Sequence, residues 1–352
     1  MANRRWRMAD SDQSSELRPP ACGGRLIVRL SFLFLLSTFL LFSAGAEAQG
    51  LRKIHAAIPA ISPSSIVFFI AREKGYYREE GLDLDLIVMP AAVATQALIG
   101  GNVEFVGTGG AGIVPVLRGA PLQFLFVGFY RPQYWLYAKP EIRSVEDLKG
   151  KKVGVSSIGS GPDSLLRVVL KKHGLDETRD VTIMAIGSGA ARLVALKARS
   201  VDASMLTPPS NFMAREAGFR ELVSFIDQDL VELQGSIVMR QALIKSDPVL
   251  VEKLVRATLK GLLYFRGNRA GAISALARFL SMREEFVGQL YDLIRPSTTR
   301  DGTVSDELQK RSMEHILERV GIREAPPLER IFNFSFGAKA REELSAKGSG
   351  GS

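Results

Sequence analysis

Lys152-Val153-Gly154-Val155-Ser156-Ser157-Ile158-Gly159-Ser160-Gly161-Pro162 reads as a strand, a small-residue turn and the opening of a helix. The valines at alternate positions predict a strand over Lys152–Ser156, and Gly/Ser before Pro162 predicts a turn that leads into helix. Working outward, that helix runs to His173, and Gly174-Leu175-Asp176 then precedes a strand at Val181–Ile186. An earlier stretch has the same order: strand Lys53–Ile58, turn Ile61-Ser62-Pro63-Ser64-Ser65, a helix to Lys74-Gly75-Tyr76, Gly81-Leu82-Asp83, and strand Leu84–Val88. The match continues, since Ala97-Leu98 stands six residues before Val103-Glu104 and Ala195-Leu196 six before Val201-Asp202. Each pair precedes a strand that ends in a turn, Gly107-Thr108-Gly109-Gly110 or Thr207-Pro208-Pro209. Any two α/β segments share some spacing. The ordered run of matches predicts one βαβ plan used twice, with largely parallel strands.

From Asp247 the pattern becomes helical only. Ser246-Asp247-Pro248 is a helix start, with a capping residue ahead of proline. Ser281-Met282-Arg283-Glu284 has capping-box spacing, and a further helix is expected from about Ser305 to Val320, stopping at Gly321. These helices are expected to buttress the first α/β half.

The N-terminus reads as an export signal. Arg4, Arg5, Arg7, Arg25 and Arg29 precede an apolar run from Leu30 to Phe42, and Ala46-Glu47-Ala48 supplies small-x-small cleavage spacing. The run is shorter than the ~20 apolar residues of a membrane span, so a cleaved signal over residues 1–48 is expected, with an uncleaved anchor as the alternative. Removing those residues takes away six Arg and four acids, which lowers the formal charge from +9 to +7. The remaining positive residues are scattered, whereas nucleic-acid binding calls for a clustered patch. The only cysteine, Cys22, lies in the signal, so the mature chain would have no disulfide, catalytic thiolate or Cys-ligated metal. The closing Gly348-Ser349-Gly350-Gly351-Ser352 reads as flexible, and a flexible tail is expected over 341–352.

In parallel sheets ligands bind beyond the carboxyl ends of strands, where free N–H groups at helix starts attract anionic or accepting groups. The turns Ser62–Ser65, Thr108–Gly110, Gly159–Gly161, Gly187–Ala190 and Thr207–Pro208 sit at such ends. For any single Ser or Gly, capping is the plainer role; it is the whole set, spread over both halves, that raises the expectation of a binding site. One helix terminus contributes ~0.3–1 kcal/mol to an anion, while micromolar affinity needs ~8 kcal/mol, so burial and closure must add the remainder. Phe68, Tyr130, Tyr134, Trp135 and Phe212 are candidate walls or simply core. Arg131 can fork onto a carboxylate or sulfonate, or form a surface pair. Asp163 is expected to offset its helix dipole.

Enzymatic motifs are wanting. Gly107-Thr108-Gly109-Gly110-Ala111-Gly112 fits G-x-G-x-x-G, but no acid ends the following strand and Pro115 interrupts the helix, so a dinucleotide is not expected. His55, His173 and His315 lack metal-ligand spacing, and no G-x-S-x-G elbow occurs. No cofactor, metal or catalytic residue is expected.

At Ala71-Arg72-Glu73-Lys74-Gly75-Tyr76-Tyr77-Arg78-Glu79-Glu80-Gly81-Leu82, Asp147–Ser156, Leu170–Asp176 and Ala195–Ala203 the chain resembles the substrate-binding proteins of ABC importers in the nitrate, sulfonate, taurine and thiamine-precursor group. The resemblance spans most of 51–335. It implies a type II periplasmic-binding-protein fold: an α/β class with two lobes joined by crossover strands, placed near Trp135–Lys139 and Ser236–Arg240. The implied lobes are 51–137 with 238–340, and 138–237, the C-terminal helices packing on the first. The implied role is an extracytoplasmic, periplasmic, monomeric receptor, not an enzyme, that captures a small polar solute of sulfonate, taurine, nitrate or heterocyclic type and delivers it to an ABC permease. The matching turns carry over Ser62, Ser64, Thr108, Gly109, Ser157, Ser160, Ser188 and Thr207 as ligand residues, with Arg131 added. The cysteine-rich motif of the pyrimidine-synthesising relatives is missing, which argues against that enzymatic branch. A ligand-sensing ectodomain and an enzyme of the same fold acting on a pyrimidine-type compound are the alternatives.

Overall fold

The computed structural model describes residues 50–107 and 112–349. The expected export signal, residues 1–48, lies outside the described residues.

The twofold use of one plan is visible in strand order. β1 (Arg52–Ile58), β2 (Leu82–Val88), β3 (Phe105–Val106) and β4 (Leu122–Phe126) share one five-stranded sheet with β10 (Ile237–Arg240), in the order β2-β1-β3-β10-β4. β6 (Lys151–Val155), β7 (Val181–Ala185), β8 (Ala203–Leu206) and β9 (Arg220–Ser224) share another with β5 (Trp135–Ala138), in the order β7-β6-β8-β5-β9. In each sheet the first three strands are parallel, with Arg52 facing Leu82 and Lys151 facing Val181 at the start of the register. In each sheet the fourth strand is antiparallel to both neighbours and comes from across the molecule. The sheets therefore exchange one strand apiece, which defines the type II periplasmic-binding-protein fold.

The chain crosses between sheets over 127–134 and 225–236, and β5 and β10 are the strands laid down directly after each crossing. The two crossings pair with each other. Phe129 N–H donates to Gln234 O at 3.0 Å, and Gln234 N–H returns a bond to Phe129 O at 2.8 Å. A third segment braces them, with Tyr130 N–H on Ser297 O at 3.0 Å and Thr299 N–H on Gly128 O at 2.9 Å. Arg266 holds that brace through Thr298 Oγ1 at 2.7 Å and Thr299 O at 2.8 Å.

The helices after Asp247 pack on the first sheet, as expected. Asp247 caps the helix Pro248–Gly267 by accepting from Leu250 N–H at 3.0 Å. That helix lies on Ile66–Glu73, with Tyr77 and Thr258 hydroxyls 2.7 Å apart and Arg256 chelating Glu80 at 2.7 and 2.8 Å. Burying this helix removes Leu254, Val255, Leu259, Leu262 and Phe265 from water, each worth ~1.5–3 kcal/mol. Two expectations need correction. Ser281 caps no helix start; its φ of 51° ends the helix Arg269–Leu280, and Arg283 is the cap of Glu284–Ile294. The stretch from 341, expected as a flexible tail, is helical as far as Ser349, because Ala340 and Leu344 join the core and Lys339 pairs with Glu252 at 2.6 Å.

Gly261 lets the two helices touch: a Cβ there would strike the Val67 carbonyl and the Ala71 side chain. Gly261→Val is expected to lower unfolding free energy by about 1–3 kcal/mol, read as a lower urea midpoint at unchanged slope.

Candidate ligand-binding site

The four expected turns among the described residues follow the carboxyl ends of β1, β6, β7 and β8, and two of them meet the crossing pair. In the first, Ser62 opens the turn Pro63–Ser65 that leads into Ile66–Glu73, and the Ser62 and Ser64 hydroxyls lie 3.0 Å apart. The Ser64 carbonyl presses on Gly235 of the second crossing so closely that a Cβ there would overlap it. Gly235 has φ 59°, so glycine is required for conformation and for space alike. In the third turn, Ser160 precedes the helix Gly161–Lys172, and Gly161 abuts Glu232 and the Tyr134 hydroxyl. Turns from both sheets thus converge on residues 232–235.

Thr108 and Gly109, the carried-over pair after β3, lie outside the described residues. Gly107 just before them packs against Phe68 and Ile58, leaving no room for a side chain. Ser157 and Ser160 close their own turn, the Ser160 hydroxyl donating to Ser157 O at 2.6 Å and receiving from Ser156 at 2.9 Å. Ser188 is exposed and caps the helix Gly189–Lys197 through Ala191 N–H at 3.2 Å. Thr207 Oγ1 faces Gly189, which brings the turns after β7 and β8 together. Arg131 is exposed on the first crossing, and its described bond is a long 3.5 Å contact to Ile226 O.

Asp163 has the helix-start role expected of it, accepting from Gly159 N–H at 2.8 Å and pairing with Arg167 at 2.8 Å. Of the aromatics, Phe68 and Trp135 are core. Phe212 stacks at 5.8 Å on Phe286 of the C-terminal helices, across the two halves. Tyr130 and Tyr134 both lie on the crossing, the Tyr130 carbonyl accepting from Glu232 N–H at 3.2 Å and the Tyr134 hydroxyl beside the Glu232 carboxylate.

The residues the sequence reading passed over are polar and buried. Glu232 is 3% exposed and Gln234 4%. Gln234 Nε2 donates to Glu232 Oε2 at 2.6 Å, and the Tyr134 hydroxyl lies 3.4 Å from Glu232 Oε1. Burial, followed by the Glu232 charge, pushes the Tyr134 phenol well above its usual range, so it remains a neutral hydroxyl. Arg192 is buried too, and desolvation lowers its guanidinium to about 10. Its Nε and Nη1 donate to Met205 O and Gly187 O at 2.5 Å, which fixes the ends of β7 and β8. The alternation Val231, Glu232, Leu233, Gln234 was the available signal: apolar residues face the core, and their polar neighbours face the turns. Among the described residues, no group of His, Cys, Asp and Glu can hold a metal, and no helix is long and apolar enough to cross a membrane.

Two strand-exchanged α/β sheets with small-residue turns meeting at the crossing are the architecture of a periplasmic binding protein. The chain belongs to the NMT1/THI5-like family, whose model matches residues 62–272. A Brucella abortus protein, named as a binding protein with no ligand stated, is 26% identical over 222 residues, covering 60% of this chain and 67% of that one. Riboflavin-binding protein RibY of Chloroflexus aurantiacus is 25% identical over 226 residues, and the match spans 60% of this chain and 62% of RibY. Among solved structures, the alkanesulfonate-binding protein SsuA of Xanthomonas axonopodis bound to MOPS aligns with TM-score 0.63 at 22% identity, covering 82% of this chain and 97% of that one. The nitrate-binding protein NrtA of Synechocystis aligns with TM-score 0.66 at 12% identity, covering 84% and 89%.

Arg192→Met would strip the donors from two carbonyls at the ends of β7 and β8. The expected loss is about 2–4 kcal/mol, measured as the shift in urea unfolding free energy against wild type.

Proposed function

We propose that this chain is the extracytoplasmic solute-binding component of an ABC importer, holding one small polar molecule between the two sheets and handing it to a membrane permease. The observation that carries the reading is the meeting of turns from both sheets at one place, Ser64 on Gly235 and Gly161 on Glu232. A molecule seated there touches both halves at once, so binding favours the arrangement in which they are together. RibY, SsuA and NrtA are named for binding riboflavin, alkanesulfonate and nitrate, and their names support a small-molecule ligand without choosing among these. Residues 1–48 are read as a cleaved export signal, which gives a periplasmic, monomeric protein. Residues 51–137 with 238–340 are read as one lobe and 138–237 as the other, save that β5 from Trp135 belongs to the second lobe's sheet and β10 from Ile237 to the first's. Ser62, Ser64, Thr108, Gly109, Ser157, Ser160, Ser188 and Thr207 are the first candidates to line the gap, with Arg131 at its edge.

A non-enzymatic role is part of the proposal. The same fold is also found in the desulfurization enzyme DSZB, which aligns with TM-score 0.63 at 16% identity. Catalysis therefore has to be tested and not dismissed by fold. Isothermal titration with riboflavin, ethanesulfonate, taurine, nitrate and pyrimidines is expected to show one-to-one binding of at least one compound at micromolar Kd or tighter. Mass spectrometry of that compound after prolonged incubation is expected to return it unchanged. Turnover would favour the enzyme, and the absence of any binding would count against the receptor.

A further inference from the structure

Phe212 buries an aromatic ring at the boundary between the two halves. It lies in the first turn of the helix Ser210–Glu216, directly after the Thr207-Pro208-Pro209 turn that follows β8, and it is only 7% exposed. Phe286, in the helix Glu284–Ile294 of the other half, faces it with ring centres 5.8 Å apart. The Arg215 guanidinium lies 5.3 Å from the Phe212 ring centre, and that of Arg283 lies 4.4 Å from the Phe286 centre. Each ring thus also meets a cation, which its π-face attracts. Arg283 reaches back to the first helix as well, donating to Glu216 at 2.8 Å. Phe212 shares one apolar cluster with Leu206 of the second sheet and with Val287 and Leu290 of the C-terminal helices. The opposite face of that sheet has a separate core around Leu136, Val153 and Leu165.

We propose that this contact is a latch, which holds the two halves together before a solute arrives and so sets the share of the protein ready to bind. The proposal rests on the solute-binding reading above and adds a regulating contact to it. Leverage is what suits the contact to this role. The helix Glu284–Ile294 leads into Arg295–Ser297, and Ser297 O accepts from Tyr130 N–H on the crossing. Phe286 stands ~12 Å back from the Ile294 end, at 1.5 Å of helix per residue. Rotation of one half about the crossing keeps the paired backbone there and moves Phe212 against Phe286. Phe212 starts its helix on the gap-facing side of the second sheet, so parting the halves draws it away. An aromatic pair shifts a two-state balance by up to about tenfold, yet opens spontaneously.

The test reads the separation of the halves directly. Cys22 is the only cysteine, so in a Cys22→Ser background Val93→Cys and Val194→Cys place one spin label on each half. Both positions are exposed, on the helices Ala91–Gly100 and Gly189–Lys197, and neither touches the latch. Double electron–electron resonance without added solute is expected to give one dominant short distance for this parent. Phe212→Ala and Phe286→Ala are each expected to raise a longer-distance population about tenfold. Arg283→Gln, at an exposed side chain, is the second route should the truncations not fold, with an expected rise of ~3-fold. Phe332→Leu thins a stack on Phe124 inside the first half, and it is expected to lower the melting temperature without changing the distance.

Calorimetry with riboflavin, ethanesulfonate and nitrate supplies the second readout. Any of the three that binds the parent is expected to bind Phe286→Ala more weakly, by the factor through which the short-distance share falls. Unchanged distances in the folded latch variants would overturn the latch and leave the receptor reading standing. Equal lengthening in Phe332→Leu would also overturn it, because loss of packing alone would then part the halves. Longer distances in the latch variants alone, with none of the three probes bound and no copurifying small molecule by native mass spectrometry, would keep the latch and overturn the receptor reading.

Discussion

The backbone pairing of the two crossing segments is the constraint on which the rest depends. Phe129 and Gln234 exchange hydrogen bonds, Gly128 N–H sits between the carbonyls of Gln234 and Gly235 at 3.1 and 3.2 Å, and Thr299 closes the other side. These groups are buried, so leaving them unpaired would cost about 1–3 kcal/mol each. Because the crossings are held together, Ser64 meets Gly235 and Gly161 meets Glu232. The turns of two separate sheets come to face one place through the paired crossing segments.

Away from the crossing, ion pairs between the halves lie at the surface. Arg283 pairs with Glu216 at 2.8 Å, Lys171 with Glu318 at 2.5 Å and Arg311 with Asp229 at 2.7 Å. These pairs have exposed partners, and such contacts contribute ~0–1 kcal/mol apiece. The Phe212–Phe286 stack adds apolar contact on one side only.

The sheet plan was legible because strand and turn chemistry is local. Lys152–Ser156 and Lys53–Ile58 announce themselves by composition, and Gly174 and Gly81 mark the same step in both halves. The exchange of β5 and β10 was reachable only through the family resemblance, since strand order is a long-range property. The site was less legible. Serine hydroxyls at turns are chemically suited to ligands, yet those of Ser160 and Ser188 are used within their own turns. Glu232 and Gln234 have no motif; their meaning comes from which turn they face across more than seventy residues of chain. The tail was misjudged for a related reason: Ala340 and Leu344 matter only once the helix Pro248–Gly267 is there to receive them.

The central claim is that one molecule is held by both halves at the crossing. A crystal structure of the protein with the tightest compound from the calorimetric panel tests it most directly. The account predicts electron density in contact with the Ser62–Ser64 turn, the Gly159–Gly161 turn and the 232–235 segment together. Density held by one sheet alone, or on an outer surface away from the crossing, would contradict it.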